Sequence, residues 1–232
     1  KKWEVNMRIL LTNDDGIMAE GIYTLAKELE KEYEVIIIAP EVEHSAQSHA
    51  ITLAKPLIVK ELRLDGLKSK AYSVSGTPAD CVRAGFDKII EEDIDLVFSG
   101  INRGFNAGMD ILYSGTVSAA IEANIFQKPS VAVSAQLLGD KCNFKLAADY
   151  ARKILEESKD NLLKSNLLIN INVPHIENGR AKGIKVCKIG QIIYDYYFME
   201  TDNNGDRVLK LKGRQEIEFE KGVPVKVDGK TK

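Results

Sequence analysis

Cysteine is scarce: Cys81, Cys142 and Cys187 are the only thiols in 232 residues. They are odd in number, far apart and share no Cys-x-x-Cys spacing. That argues against a disulfide framework and against a structural zinc site. The expectation is three reduced thiols in a cytoplasmic protein. Long hydrophobic runs are also missing, since none approaches the roughly 20 residues needed to cross a bilayer. The opening Lys1-Lys2-Trp3-Glu4-Val5-Asn6 lacks the apolar stretch of a signal peptide. No membrane partner is expected. Neither sign of charge dominates: 32 Lys and Arg against 34 Asp and Glu leave a formal charge of −2. A chain that coats a nucleic-acid polymer carries a basic surplus, so that class is set aside. Internal repeats and low-complexity segments are absent as well.

What is present suits a folded α/β chain. A hydrophobic content of 44% supports one sizeable core, and the length permits one or two domains. Arg8-Ile9-Leu10-Leu11-Thr12 reads as a buried strand ending in the turn Asn13-Asp14-Asp15-Gly16. Ile22, Leu25, Ala26 and Leu29 then recur at helical spacing. Val35 to Ala39 is a second apolar run, stopped by Pro40. Strand, helix and strand in so short a span make a βαβ unit, which implies a parallel sheet.

The alternation continues down the chain. Thr77-Pro78-Ala79-Asp80 predicts a helix start, with Thr as cap, Pro first and an acid third. Leu96-Val97-Phe98 predicts a strand closing on Ser99-Gly100. Further elements follow: a helix over 116–126, a strand over 130–134, a helix over 144–157 and a strand over 167–172. After about residue 180 the pattern changes. Ile184 to Ile189, Val208 to Leu211 and Glu216 to Glu220 alternate apolar with polar, and Asp202-Asn203-Asn204-Gly205-Asp206 is a turn signal. The expected organisation is an α/β core over 7–180 and a β-hairpin arm or tail over 181–232. Tyr194, Tyr196 and Tyr197 fall in the arm and either pack there or stack on a base.

Ligands of open parallel sheets bind beyond the carboxyl ends of the strands. Three segments occupy such positions. The first holds Asp14 and Asp15, whose mutual repulsion a cation would relieve. Oxygen ligands of this type suit Mg²⁺, Mn²⁺ or Ca²⁺; the same pair could instead be a surface turn or an acidic helix start. The second is Glu43-His44-Ser45-Ala46-Gln47-Ser48-His49, a source of hydroxyl groups for metal or phosphate, or a plain polar loop. Its two histidines could ligate metal or simply be solvated or hydrogen-bonded. The third runs from Ser99 to Val117 as a long loop. It is rich in Asn and Gly and ends at Ser114-Gly115-Thr116, where a helix begins. A helix start with free amides, a glycine for close approach and two hydroxyls is an anion site. It is neither a Walker loop nor a dinucleotide-binding turn. Metal and anion site together are the equipment of phosphoester hydrolysis.

In order, these stretches resemble the stationary-phase survival protein family SurE, the metal-dependent nucleoside monophosphate phosphatases. The stretches are Arg8 to Gly16, Ala39-Pro40 through Ser45 to Thr52, Ser75 to Val82, Ser99 to Thr116, Pro129 to Ser134 and Asn170 to Pro174. The resemblance implies a Rossmann-like, three-layer α/β core with a mainly parallel sheet. It also implies a swapped C-terminal arm in a homodimer or homotetramer. It implies hydrolysis of nucleoside 5′- and 3′-monophosphates, with some action on short polyphosphate. One divalent ion per subunit, Mg²⁺ or Mn²⁺, would be held by Asp14, Asp15, Ser45 and Asn102. Asn106, Ser114, Gly115 and Thr116 would line the phosphate pocket, and Asp14 and Asp15 would carry the catalysis.

The chain departs from the family pattern twice. Ser45-Ala46 replaces a Ser-Gly pair, and the tail run Gly-Tyr-(Ile/Val)-Ser-(Ile/Val)-Thr-Pro is absent. All four implied ligands lie upstream of that tail. Three other readings compete. A haloacid-dehalogenase-type phosphatase wants Asp-x-Asp after the first strand, and this chain has Asp-Asp-Gly. A phospho-receiver wants an acceptor Asp at a strand end, whereas Asp95 begins its strand. A nucleotide sensor without turnover fits the same residues.

Overall fold

The computed structural model describes residues 7–176, 181–190 and 197–211. In chain order the elements are β1 (Arg8–Thr12), α1 (Glu20–Leu29), β2 (Glu34–Pro40), β3 (Val59–Leu62), β4 (Lys70–Val74) and α2 (Pro78–Ala84). They continue with β5 (Leu96–Arg103), α3 (Gly115–Ile125), β6 (Ser130–Ala135), β7 (Leu137–Leu138), β8 (Lys141–Cys142), α4 (Phe144–Leu162), β9 (Leu168–Val173), β10 (Tyr197–Thr201) and β11 (Arg207–Leu211). Of the described residues, those up to 182 apart from 107–109 form one compact unit. Residues 107–109 and those from 183 onward form a second.

The first unit is built on a seven-stranded sheet in the order β3-β4-β2-β1-β5-β6-β9. All pairs are parallel except β3 with β4. The central strands are apolar on both faces because helices cover both faces. On one face Ile9, Leu11 and Ile37 pack with α1 and α4 residues such as Ile22, Leu25 and Leu155. On the other face Leu10, Ile38 and Val97 pack with Val82 of α2 and Ala119 and Ala123 of α3. The result is the expected three-layer α/β core with a mainly parallel sheet.

Local chemistry explains the element bounds. Thr77 caps α2 through a full capping box: its hydroxyl accepts from the Asp80 amide, and the Asp80 carboxylate accepts from the Thr77 amide. The apolar face expected through Phe86 to Ile90 continues as a π-helical turn over Gly85–Ile89. Asn143 caps α4 by accepting from the Leu146 amide.

Three elements differ from the sequence reading. β5 runs past Ser99-Gly100 to Arg103, so the first residues of the long loop are strand. The register shifts between Gly100 and Asn102. At Gly100, with φ at +135°, an added Cβ would lie 2.3 Å from the Val133 carbonyl oxygen, so only glycine permits β5 to pass β6 there. β3 and β4 form an edge pair with little apolar signal. The alternating Ile184 to Ile189 segment forms no ladder among the described residues. In the second unit β10 and β11 pair antiparallel around the Asp202-to-Asp206 turn, where the Asp202 carboxylate accepts from the Asn204 and Asp206 amides. Tyr194, Tyr196 and the Glu216-to-Glu220 segment lie outside the described residues.

Candidate active site

The order of strands reverses at β1. From it the chain crosses to β2 on one side, and later to β5 on the other. The crevice outside the carboxyl ends of β1 and β5 is the topological switch point, where α/β folds bind ligands. Asp14 and Asp15 follow β1, and Asn102 and Arg103 end β5.

Turn chemistry fixes the Asp pair. The Asn13 side-chain amide donates to the Gly16 carbonyl at 2.8 Å. Gly16 adopts φ +96° and lies against the Val42 backbone, which brings in the loop after β2. The His44 amide donates to the Asp14 carbonyl at 2.8 Å, so Ser45 follows directly on a residue tied to the pair. From the other side the Arg103 amide donates to Asp15 Oδ2 at 3.2 Å. Three segments distant in sequence therefore meet at Asp14 and Asp15.

The start of α3 completes the arrangement. Ser114 is its cap, its hydroxyl accepting from the Val117 amide at 3.1 Å. Thr116 is fully buried, and its hydroxyl donates to Asp14 Oδ1. Gly115 leaves room for this contact, since a Cβ there would lie 2.8 Å from the Asp14 Cβ. The positive end of α3 thus faces the Asp14 carboxylate.

Electrostatics follow from burial. Asp14 is 4% exposed, and desolvation pushes its pKa up against the hydrogen bonds from Thr116. Asp15 is pushed up to about 6, first by desolvation and then by the Asp14 charge, with Glu43 adding to both. Two neighbouring carboxylates held this way lack enough compensating positive charge, and a bound cation would supply it.

The remaining candidates have their own partners. The Ser45 hydroxyl donates to Glu43 at 2.6 Å, and the Asn102 amide nitrogen donates to the Gly104 carbonyl at 2.9 Å. Asn106 is anchored from three sides. Its amide donates to Asn172 Oδ1, its carbonyl accepts from Asn170 and Asn172, and its side chain donates to Ser134. The two loop histidines are hydrogen-bonded, His44 to Gln47 and His49 to Glu122. Among the described residues no three His, Cys, Asp or Glu side chains cluster as a metal site. The four residues expected from the sequence would instead offer two carboxylates, a hydroxyl and an amide oxygen. These are all hard oxygen donors, and they fit Mg²⁺ or Mn²⁺.

A cleft of about 710 Å³ opens beside Asp15, lined among others by Glu43, Arg103, Cys142, Phe144 and His175. Cys142, Phe144 and His175 were not among the site residues expected from the sequence. Cys142 and Phe144 share one short segment and His175 lies in another; neither carries a local motif, so only the fold brings them to Asp15. Cys81, Cys142 and Cys187 are all free thiols. No helix among the described residues is long and apolar enough to cross a membrane.

The fold and its acidic pair define a Rossmann-like α/β protein with two neighbouring carboxylates at the switch point. Comparison with known proteins makes the assignment specific. The family model for "Survival protein SurE" matches residues 9–196. A protein of Clostridium tetani named 5′-nucleotidase SurE is 53% identical over 207 residues, covering 89% of this chain and 83% of that one. A protein of the same name from Clostridium botulinum is 53% identical over 209 residues, covering 89% and 82%. The crystal structure of the SurE protein from Aquifex aeolicus superposes with a TM-score of 0.78 at 35% identity, covering 88% of this chain and 82% of that one. The chain belongs to the SurE survival-protein family, as its motifs indicated.

Proposed function

We propose that this chain is a phosphomonoesterase that hydrolyses nucleoside 5′-monophosphates to nucleoside and phosphate. It acts on the 3′-monophosphates as well, and on short polyphosphate. The observation that carries the proposal is the buried Asp14 carboxylate, set against the start of α3 beside Asp15 at the switch point. The names of the Clostridium relatives, 5′-nucleotidase SurE, support the same reading.

In this reading Asp14, Asp15, Ser45 and Asn102 hold one Mg²⁺ or Mn²⁺ per subunit. The Asn102 amide nitrogen is committed to Gly104, which leaves the amide oxygen for the cation. A divalent ion bound here supplies Lewis-acid polarisation of the phosphoryl group and lowers the pKa of water. The chain's own groups do the rest. Thr116 orients Asp14, and Asp15 is the more exposed carboxylate and faces the cleft. Asn106, Ser114, Gly115 and Thr116 form the wall that receives phosphate, where backbone amides at a helix start stabilise developing negative charge. The cleft lined by Arg103, Phe144 and His175 has room for the nucleoside. The core over 7–180 carries the chemistry and the arm over 181–232 serves assembly into a homodimer or homotetramer. A cytoplasmic setting fits the three free thiols.

Phosphate release from a panel of nucleotides tests this, first with Mg²⁺ or Mn²⁺ and then with excess EDTA. Release that EDTA abolishes and metal restores is expected. A folded protein that binds nucleotides and never releases phosphate would mark a sensor instead. A trapped phosphoenzyme would point to an aspartyl nucleophile.

A further inference from the structure

Glu122 lies on α3 and does not line the cleft, yet it is almost entirely buried at 1% exposure. A carboxylate so placed persists only when paired and hydrogen-bonded. Two partners meet it. Arg83 of α2 donates to Oε1 at 2.8 Å, and His49 Nε2 lies 2.6 Å from Oε2. His49 belongs to the loop after β2, the loop that carries Ser45.

That loop is held at several points, and parts of it are strained. Ala46 and Ser48 both take positive φ without being glycine, a conformation the surroundings must impose. The Ser48 amide donates to the Tyr113 carbonyl at 3.0 Å and its hydroxyl to the Leu112 carbonyl at 2.6 Å. These bonds dock the loop onto the turn just ahead of Ser114. His49 then fastens the next residue to the body of α3. The Ala50 carbonyl accepts from the Thr77 hydroxyl at 2.7 Å, which closes the far side.

We infer that the His49–Glu122 contact is a positioning strap, which fixes the Ser45 loop against α3 so that Ser45 and the Asp14–Asp15 pair share one site. His49 acts through the loop and touches neither cation nor substrate. Arg83 holds Glu122 in place from the opposite side. The metal part of this inference rests on the proposed function; the strap itself does not.

The experiment uses the full chain, its His49→Ala variant and its His49→Gln variant, which keeps a donor at similar reach. Mn²⁺ binding is read from the free-ion resonance in solution, without substrate. Amide hydrogen exchange is read over residues 44–48 in metal-free protein. The expected result for His49→Ala is Mn²⁺ affinity about tenfold weaker and faster exchange over 44–48, with the thermal midpoint of the core little changed. His49→Gln restores a good part of both. Wild-type affinity and unchanged exchange in His49→Ala overturn the strap, as does equal loss in both variants. If the wild-type chain binds no Mn²⁺, the metal reading fails by itself. Exchange over 44–48 then decides the strap alone, faster in His49→Ala for it and unchanged against it.

Discussion

The Thr116 hydroxyl donates to the buried Asp14 carboxylate across 102 positions of sequence. One side chain of the α3 start is therefore spent on the acidic pair itself. The anion that faces this helix end in the protein is Asp14.

Replacing Thr116 by Val keeps the shape and removes the donor. Asp14 loses a hydrogen bond that offsets its desolvation, so its pKa rises further and its hold on a cation weakens. Metal affinity is expected to fall about 10–100-fold, as for other residues that orient a ligand. Titration of Mg²⁺ or Mn²⁺ against phosphate release measures this. Unchanged affinity would show that Thr116 does not set Asp14.

Gly115→Ala probes the same contact from the backbone side. The added Cβ would lie 2.8 Å from the Asp14 Cβ and 3.0 Å from Oδ2. Crowding of this kind costs about 1–3 kcal/mol, which a thermal melt reads. Activity is expected to fall far more than stability, because the displaced atoms are those of the proposed ligand. A variant that loses stability and keeps its activity contradicts this.

Asp80 links stability to pH. Its carboxylate is buried, which raises its pKa, but amide bonds from Thr52 and Thr77 outweigh this and hold it below its ordinary value of 3.8. The folded value lies below the unfolded one. The stabilisation is therefore complete above about pH 4 and is lost as pH falls through the depressed folded value. Unfolding free energy measured from about pH 6 to pH 2 is expected to fall more steeply for the wild-type chain than for Asp80→Asn. Parallel curves would remove Asp80 from the acid response.

Much of this was legible from residue patterns. The Arg8-to-Thr12 and Val35-to-Ala39 runs announce themselves because both faces of their strands are buried. Thr77-Pro78-Ala79-Asp80 is a capping box that local chemistry alone specifies. The sheet edge was not legible. Val59–Leu62 is mostly exposed and gains its order from pairing with β4. Strict alternation over Ile184 to Ile189 forms no ladder among the described residues, because alternation reports amphipathicity and not pairing. At the site, Asp14, Asp15, Ser45 and Asn102 all stand in motifs. The Thr116–Asp14 and His49–Glu122 contacts join residues 102 and 73 positions apart, and no spacing rule reaches that far. His175 and Phe144 reach the cleft only through the folding of the second half of the core.

The central claim is that the Asp14–Asp15 pair holds the cation on which hydrolysis depends. Phosphate release from a nucleoside 5′-monophosphate, measured for wild type and Asp15→Asn across a Mg²⁺ or Mn²⁺ titration, tests it most directly. Asp15 is the variant of choice because it is partly exposed, so the fold should tolerate the change. The account predicts metal-dependent release in the wild type and loss of that release in a folded Asp15→Asn chain. Near-full metal-dependent activity in Asp15→Asn would contradict it.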